Sequence, residues 1–439
     1  MRFNQKETEL LHGKSFAEVV DLDLLRRLHP PLYEKATQVQ KDGNEAAAIA
    51  SLQFWRSPIY AGFPITPSTK WLETIAAKIH SGKFVIDLNG RRVSTKKIKQ
   101  LEAEHAVADY MVGAAAACRD LLFITATSSV GLDHMTETTK SIGSSGLGNV
   151  MLINVCRATA NYPLCIEGDP SDTFGHRDDG WIQVVCRGKQ QIYDTLLQLP
   201  CVGMNPDVLI PTMPAYYGIK DSHRSEVFQV EPDRKIHEFQ DFLIPNRSPL
   251  PGLIDGDTSM GNCVTSEHFQ GFKWGQKKRI ERVLGVLETV ARGFEGCFGR
   301  PGISPFEEYF IEDHPSRILV TMGPDSGTAY EVVRQKRKKG ERIGLLVVRL
   351  LTPFPSAHLR EILKSAEVIG VVNNAFQTER GHLTALVSDA LSGLPIKVTG
   401  LFAGLGGADI SVGSWEKIVS LLSGDEESDG RFVHQGVVV

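Results

Sequence analysis

Four segments carry residue types that could act on a small, charged ligand. The first, "YAGFPITPSTKWLE" at 60–73, puts two prolines and a run of hydroxyls after an apolar approach. Pro64 and Pro67 stiffen such a turn, and Ser68 can cap the helix that follows. The second, "EAEHAVADYMVGAAAA", opens a helix with Glu102 and Glu104 and then turns small and apolar. A carboxylate there either complements the helix dipole at the surface or, buried against an apolar wall, meets a cofactor nitrogen with its proton affinity raised. The third, "RDLLFITATSSVGLDHM", ends an apolar strand in Thr125, Thr127, Ser128, Ser129 and Gly131. Ligands of open α/β sheets bind beyond the carboxyl ends of strands, so these hydroxyls suit a cofactor or a carboxylate, or form a plain turn. The fourth, "CRATANYPLCIEGDPSDTFGHRDDGWIQ", gathers Arg157, Asp169, Asp172, His176, Arg177, Asp178 and Asp179 between two strands. A loop so dense in charge suits either a functional site or an interface with salt-bridge networks.

The elements that must position these residues follow from hydrophobic periodicity. Between Ile59 and Pro245, short β-branched runs such as "LLFITAT", "VMLINV" and "WIQVVC" alternate with helical stretches. That alternation predicts a parallel sheet covered by helices. The pattern resumes after 316 with "RILVTMG", a helix from Ser326 to Lys339, "IGLLVVRLL", "EVIGVVNN" and "IKVTGLFAG". The expected organisation is a helical arm at 1–48, an α/β domain at 49–245, a linker at 246–315, a smaller α/β domain at 316–425 and a tail at 426–439. The linker reading rests on the richness of 244–276 in Pro, Gly, Asn and Ser, followed by a basic helix.

Composition narrows the partners. A formal charge of -4 over 439 residues, with no long basic stripe, argues against nucleic acid. The polar N-terminus and the lack of any run near the ~20 apolar residues of a membrane span predict a cytoplasmic chain with no membrane partner. Seven cysteines, at 118, 156, 165, 186, 201, 263 and 297, are scattered, with no C-x-x-C pair. They predict reduced thiols, and any iron-sulfur cluster linked to this chain would need its closely spaced thiolates on another subunit.

Taken in order, these segments resemble the α chain of the 2-oxoacid:ferredoxin oxidoreductases. The resemblance runs from "PITPS" through the acid-headed small-residue helix and "TSSVGL" to "RDDGWIQ". It continues in "VTMGPDSGTAYEVV", "LLTPFP" and "AGLGGADI", and so spans about 56–425. It implies a pyrimidine-type, thiamine-diphosphate-binding parallel-sheet domain followed by a smaller transketolase C-terminal-like α/β domain. It implies oxidative decarboxylation of a 2-oxoacid, pyruvate favoured through "GHRDDGWIQ", to acyl-CoA and CO₂ with electrons passed to ferredoxin. Glu104 would meet the aminopyrimidine ring, with Pro64, Ile65, Thr127, Ser128 and Ser129 as further cofactor contacts. Thr66 would hydrogen-bond the oxoacid, and an arginine would grip its carboxylate, Arg119 being the candidate. Here the sequence reads "ACRD" where relatives commonly have Gly-Ala-Arg, so aligning Arg119 takes a small shift. Thiamine diphosphate would be shared with a partner subunit, and Mg²⁺ and [4Fe-4S] clusters would lie on partners of the β, γ and δ types, with coenzyme A as co-substrate.

The near match to a metal-diphosphate signature in "IDGDTSMGNC" is declined, because it sits in the expected linker rather than at a strand end. "MGPDSGTA" reads either as a phosphate cradle at a helix start or as a helix capped by Asp325 or Ser326, and the capping reading is preferred. Specificity for 2-oxoglutarate or an aryl oxoacid, through His176 or Arg177, stays open. A transketolase-type enzyme would lack "PITPST" so near its start and "RDDGWIQ". A non-catalytic structural subunit would leave Glu104 and Thr66 facing solvent or a dry core.

Overall fold

A computed structural model describes residues 35–56, 58–81, 98–159, 162–245, 247–254, 258–375 and 381–423, with two short pairs at 433–434 and 437–438. Most of the expected arm, at 1–34, and most of the tail after 423 lie outside the described residues, as do Asp255–Asp257 of the declined signature.

The first sheet has seven strands. Its centre is β4 (Phe123–Thr127) and β5 (Val150–Cys156), buried along their whole length. Apolar runs of this kind fit a parallel sheet covered on both faces. β4 pairs on its other side with β2 (Ile59–Gly62), and β2 pairs with β3 (Ile98–Gln100). Beyond β5 come β7 (Thr212–Tyr217) and then β6 (Ile182–Val185), all parallel. A separate antiparallel pair joins β1 (Thr37–Lys41) to β8 (Glu226–Val230). Residues 37–52, expected mostly within a charged arm, are thus this strand and the helix Gly43–Leu52. Asp42 caps that helix in a reciprocal box with Glu45, and Ala46, Ala47 and Ala48 are fully buried. Alanines there let the helix pack closely on its neighbour Gly188–Gly203.

The expected linker at 246–315 contains a 33-residue helix, Ser266–Phe298. Its second half carries Val283, Val286, Leu287, Val290, Phe294 and Phe298 into the first domain's core, where Phe294 and Phe298 meet Phe239. Spacings of three and four make one apolar stripe, so this half is a core element of the domain it follows.

The second sheet has five strands: β9 (Phe306–Tyr309), β10 (Arg317–Thr321), β11 (Ile343–Val348), β13 (Val368–Asn373) and β14 (Lys397–Phe402). All are parallel except the antiparallel edge strand β9. Between β11 and β13 the chain crosses to the first sheet as β12 (Leu350–Thr352), antiparallel to β6. Arg349, at the crossing, donates from Nη2 to Thr195 Oγ1 at 2.9 Å. One apolar cluster then spans both sheets, with Cys156, Phe174, Val185 and Tyr217 against Ile318, Val320 and Leu346. No helix among the described residues is long and apolar enough to cross a membrane.

Candidate active site

The order of the first sheet determines where a ligand can sit. From β2 the chain goes to β3 on one side, then returns to β4 on the other. The crevice at the carboxyl ends of β2 and β4 is therefore the topological switch point, where open α/β sheets bind ligands. The turn at 63–67 leaves β2 there, the helix headed by Glu104 follows β3, Ser128 and Ser129 follow β4, and Arg157 follows β5.

Glu104 opens the helix Glu104–Ala117 and is 6% exposed. Its side chain runs past Gly131, where an added Cβ would lie 3.0 Å from Glu104 Cγ and Oε1 and 2.5 Å from Thr127 Oγ1. Glu104 Oε2 stands 3.3 Å from His134 Nδ1. The hydroxyls of Thr125, Thr127 and Ser128 are buried and have no hydrogen-bond partner among the described residues. Such unmet groups cost about 1–3 kcal/mol each, so a wall built this way suits a heteroaromatic ligand that can pair with them. A buried acid beside orphaned hydroxyls supplies polar groups that the pyrimidine ring of thiamine diphosphate could pair with.

Next to this wall lies the turn that leaves β2. Pro64 and Thr66 are exposed and Ile65 is half-buried. The turn is held from behind by Asn44, whose Nδ2 donates to Pro67 O at 2.8 Å. Buried Arg157 donates from Nη1 to Thr66 O at 3.2 Å and from Nε to Cys165 O at 3.2 Å. Asp172 accepts the backbone N–H groups of Ser129 and Arg157 on one oxygen. Burial pushes its carboxyl up to about 6, although those two donors oppose the rise. Asp169 reaches the second domain, accepting the Gly406 N–H at 2.9 Å. The loop "AGLGGADI" thus closes against the crevice's outer edge, where Cys165 Sγ also meets Gly406 O at 3.4 Å.

His176 stands behind the short helix Val130–His134. Its Nδ1 is 2.7 Å from Asp179 Oδ2 and its Nε2 is 3.1 Å from Asp133 Oδ1. Burial alone would push this imidazole down, but the two carboxylates outweigh it and hold it up at about 9. His176 is therefore a cationic strut for the helix that carries Gly131 and His134.

Glu104, Pro64, Ile65, Thr66, Thr127, Ser128 and Ser129 come together around this crevice. Arg119 does not. It lies beyond the far end of the Glu104 helix, about 20 Å away at 1.5 Å per residue, donating to Gly146 O at 3.0 Å near Arg56 and Arg279. The arginine beside Thr66 is Arg157, which follows an apolar strand as the other site residues do, but only the pairing of that strand brings it to Thr66. The "MGPDSGTA" helix starts at Ser326 without a side-chain cap, because Asp325 pairs with Lys220 at 2.8 Å instead.

Comparison with known proteins bears on this geometry. The family model described as pyruvate flavodoxin/ferredoxin oxidoreductase, thiamine diphosphate-binding, matches residues 54–280. That described as pyruvate:ferredoxin oxidoreductase core domain II matches 316–414. The pyruvate synthase subunit PorA of Methanothermobacter thermautotrophicus is 30% identical over 392 residues, covering 88% of this chain and 95% of the relative. The ketoisovalerate oxidoreductase subunit VorA of Pyrococcus horikoshii is 32% identical, covering 84% and 90%. A solved 2-oxoglutarate:ferredoxin oxidoreductase from Magnetococcus marinus shares the fold with a TM-score of 0.67 at 16% identity. It matches 89% of this chain, which spans 65% of that one.

Proposed function

The chain belongs to the 2-oxoacid:ferredoxin oxidoreductase family, and we propose on that premise that it is the α subunit supplying the pyrimidine and oxoacid side of a thiamine-diphosphate site. The observation that carries this reading is buried Glu104 beside the unpaired Thr127 hydroxyl and Gly131, at the switch point of the sheet. A non-catalytic subunit would leave Glu104 and Thr66 in solvent or in a dry core; Thr66 is exposed, so the distinction rests on Glu104 and the groups around it. Orphaned hydroxyls beside it are instead expected of a site that pairs them with a ligand.

Bound thiamine diphosphate supplies the nucleophilic carbon that attacks the 2-oxo group and the electron sink that lets the carboxylate depart as CO₂. Glu104 holds a proton at a pyrimidine nitrogen. Arg157 and Thr66 grip the oxoacid carboxylate, a planar anion that suits a guanidinium. Thr127, Ser128 and Ser129 complete the polar wall, while Pro64 and Ile65 shape the opposite side. Coenzyme A would serve as the acyl acceptor, and clusters on partner subunits would supply the route for the two electrons towards ferredoxin. Mg²⁺ and the diphosphate contacts belong to a partner of the β type, with γ and δ types carrying the redox centres, all in the cytoplasm.

Pyruvate is the favoured substrate. A branched 2-oxoacid is the second reading, since the ketoisovalerate relative is as similar as the pyruvate one. Assay of the co-purified complex for CO₂ release and viologen reduction with pyruvate, 2-oxoisovalerate, 2-oxoglutarate and an aryl oxoacid tests this. Coenzyme A-dependent turnover of pyruvate or 2-oxoisovalerate is expected. No turnover of any acid, with thiamine diphosphate and Mg²⁺ supplied, would refute the proposal.

A further inference from the structure

Asp172 is 1% exposed and sits at the second position of the short helix Ser171–Gly175. Its Oδ2 accepts the N–H of Ser129 at 3.0 Å and that of Arg157 at 2.9 Å. Its Oδ1 accepts the N–H of Thr173 at 2.6 Å and the Thr173 hydroxyl at 3.2 Å. One carboxylate oxygen therefore joins the turns that leave two neighbouring strands. The ladder between β4 and β5 stops at Thr127 opposite Asn154, so beyond it the two backbones need another tie. Ser129 also has a φ of +43°, a conformation a residue with a side chain seldom holds without outside support. The same turns carry Ser128 towards the crevice and Arg157 towards Thr66.

We propose that Asp172 is a positioning residue: its carboxylate fixes the start of the Arg157 turn against the Ser129 turn, and so sets where the guanidinium meets the oxoacid. This rests on the reading of Arg157 as the oxoacid's partner. Thr173 and Asn154 hold the other side of the carboxylate, with Asn154 Nδ2 donating to Thr173 Oγ1 at 2.9 Å, so Asp172 has one orientation available. An asparagine keeps the volume and one accepting oxygen for Ser129 and Arg157, but its amide would face the Thr173 donor. Alanine keeps neither.

The test uses the assembled complex with Asp172→Asn, Asp172→Ala and Arg157→Ala. Ile236→Ala, a core truncation in the helix Asp233–Leu243, serves as a stability-matched control. Expected is a KM for the oxoacid raised at least tenfold in Asp172→Ala and by less in Asp172→Asn, with kcat within threefold of the parent and the control's KM unchanged. A second readout is protection of Arg157 by the oxoacid from an arginine-specific dicarbonyl, mapped by mass spectrometry. Protection should weaken in both Asp172 variants, and Asp172→Asn carries the test if Asp172→Ala does not fold. If Arg157→Ala raises the KM and neither Asp172 variant moves KM or protection, the positioning proposal is overturned alone. If Arg157→Ala itself leaves the KM unchanged, the placement of the oxoacid fails and the role of Asp172 fails with it.

Discussion

Glu104 packs directly on Gly131: a Cβ built on Gly131 would sit 3.0 Å from Glu104 Cγ and Oε1. Gly131 lies in the short helix Val130–His134, so it is there for lack of bulk, leaving the acid room beside Thr127. Gly131→Ala should push the Glu104 side chain and the Thr127 hydroxyl apart, at a stability cost of about 1–3 kcal/mol. It should weaken binding of thiamine diphosphate at least tenfold, read by fluorescence titration of the complex. Undiminished binding would show that the contact does not shape the pocket.

The two arginines should separate cleanly. Losing a charge-assisted hydrogen bond costs about 1.5–3 kcal/mol, or roughly 10–100-fold in affinity. Arg157→Ala is therefore expected to raise the oxoacid KM by about that factor. Arg119→Ala should leave KM unchanged and lower only the unfolding temperature, because its contact is with Gly146 O at the opposite end of the helix. Steady-state kinetics of both variants decides the point.

His176 makes part of the stability depend on pH. Its imidazole, held up at about 9 between Asp133 and Asp179, is charged in the fold at pH values where it would be neutral when unfolded. That contribution is complete below about 6.5 and is lost as pH rises through about 9. Lys140, 4.0 Å from Asp179, and the Thr139 hydroxyl also face this cluster. Tm measured from pH 6 to pH 10 should fall more steeply in the parent than in His176→Asn, and parallel curves would contradict the assignment.

The second domain's seat on the first can be tested at Gly407. This residue has a φ of +81°, and a Cβ there would lie 2.6 Å from Glu167 Cβ. Gly407→Ala meets both the backbone strain and the clash. It should lower Tm and speed proteolysis between the two sheets, read by limited digestion, and an unchanged digestion rate would deny the loop a structural role.

Much of this site is legible in the amino-acid sequence. The hydroxyls after "LLFITA" and the acid ahead of "HAVADYMVGAAAA" are readable because strand ends and helix starts leave local marks. The choice between Arg119 and Arg157 is not. It depends on which strand ends are neighbours, and the pairing of β4 with β5 and the crossing between β2 and β4 are non-local. The helix Ser266–Phe298 is half legible. Its polar first half hides behind a Pro- and Gly-rich approach, although the spacing from Val283 to Phe298 carries a buried stripe. The role of Asp172 needs the ends of two strands and a third segment in one place, which no sequence pattern states.

Activation of the cofactor by Glu104 is read from deuterium exchange at C2 of bound thiamine diphosphate in the assembled complex, with Glu104→Gln beside the parent. Positioned proton transfer contributes about 10²–10⁴-fold, so exchange in Glu104→Gln should slow by at least a hundredfold while the cofactor stays bound. Exchange at the parent's rate with the cofactor fully bound would show that Glu104 does not activate it.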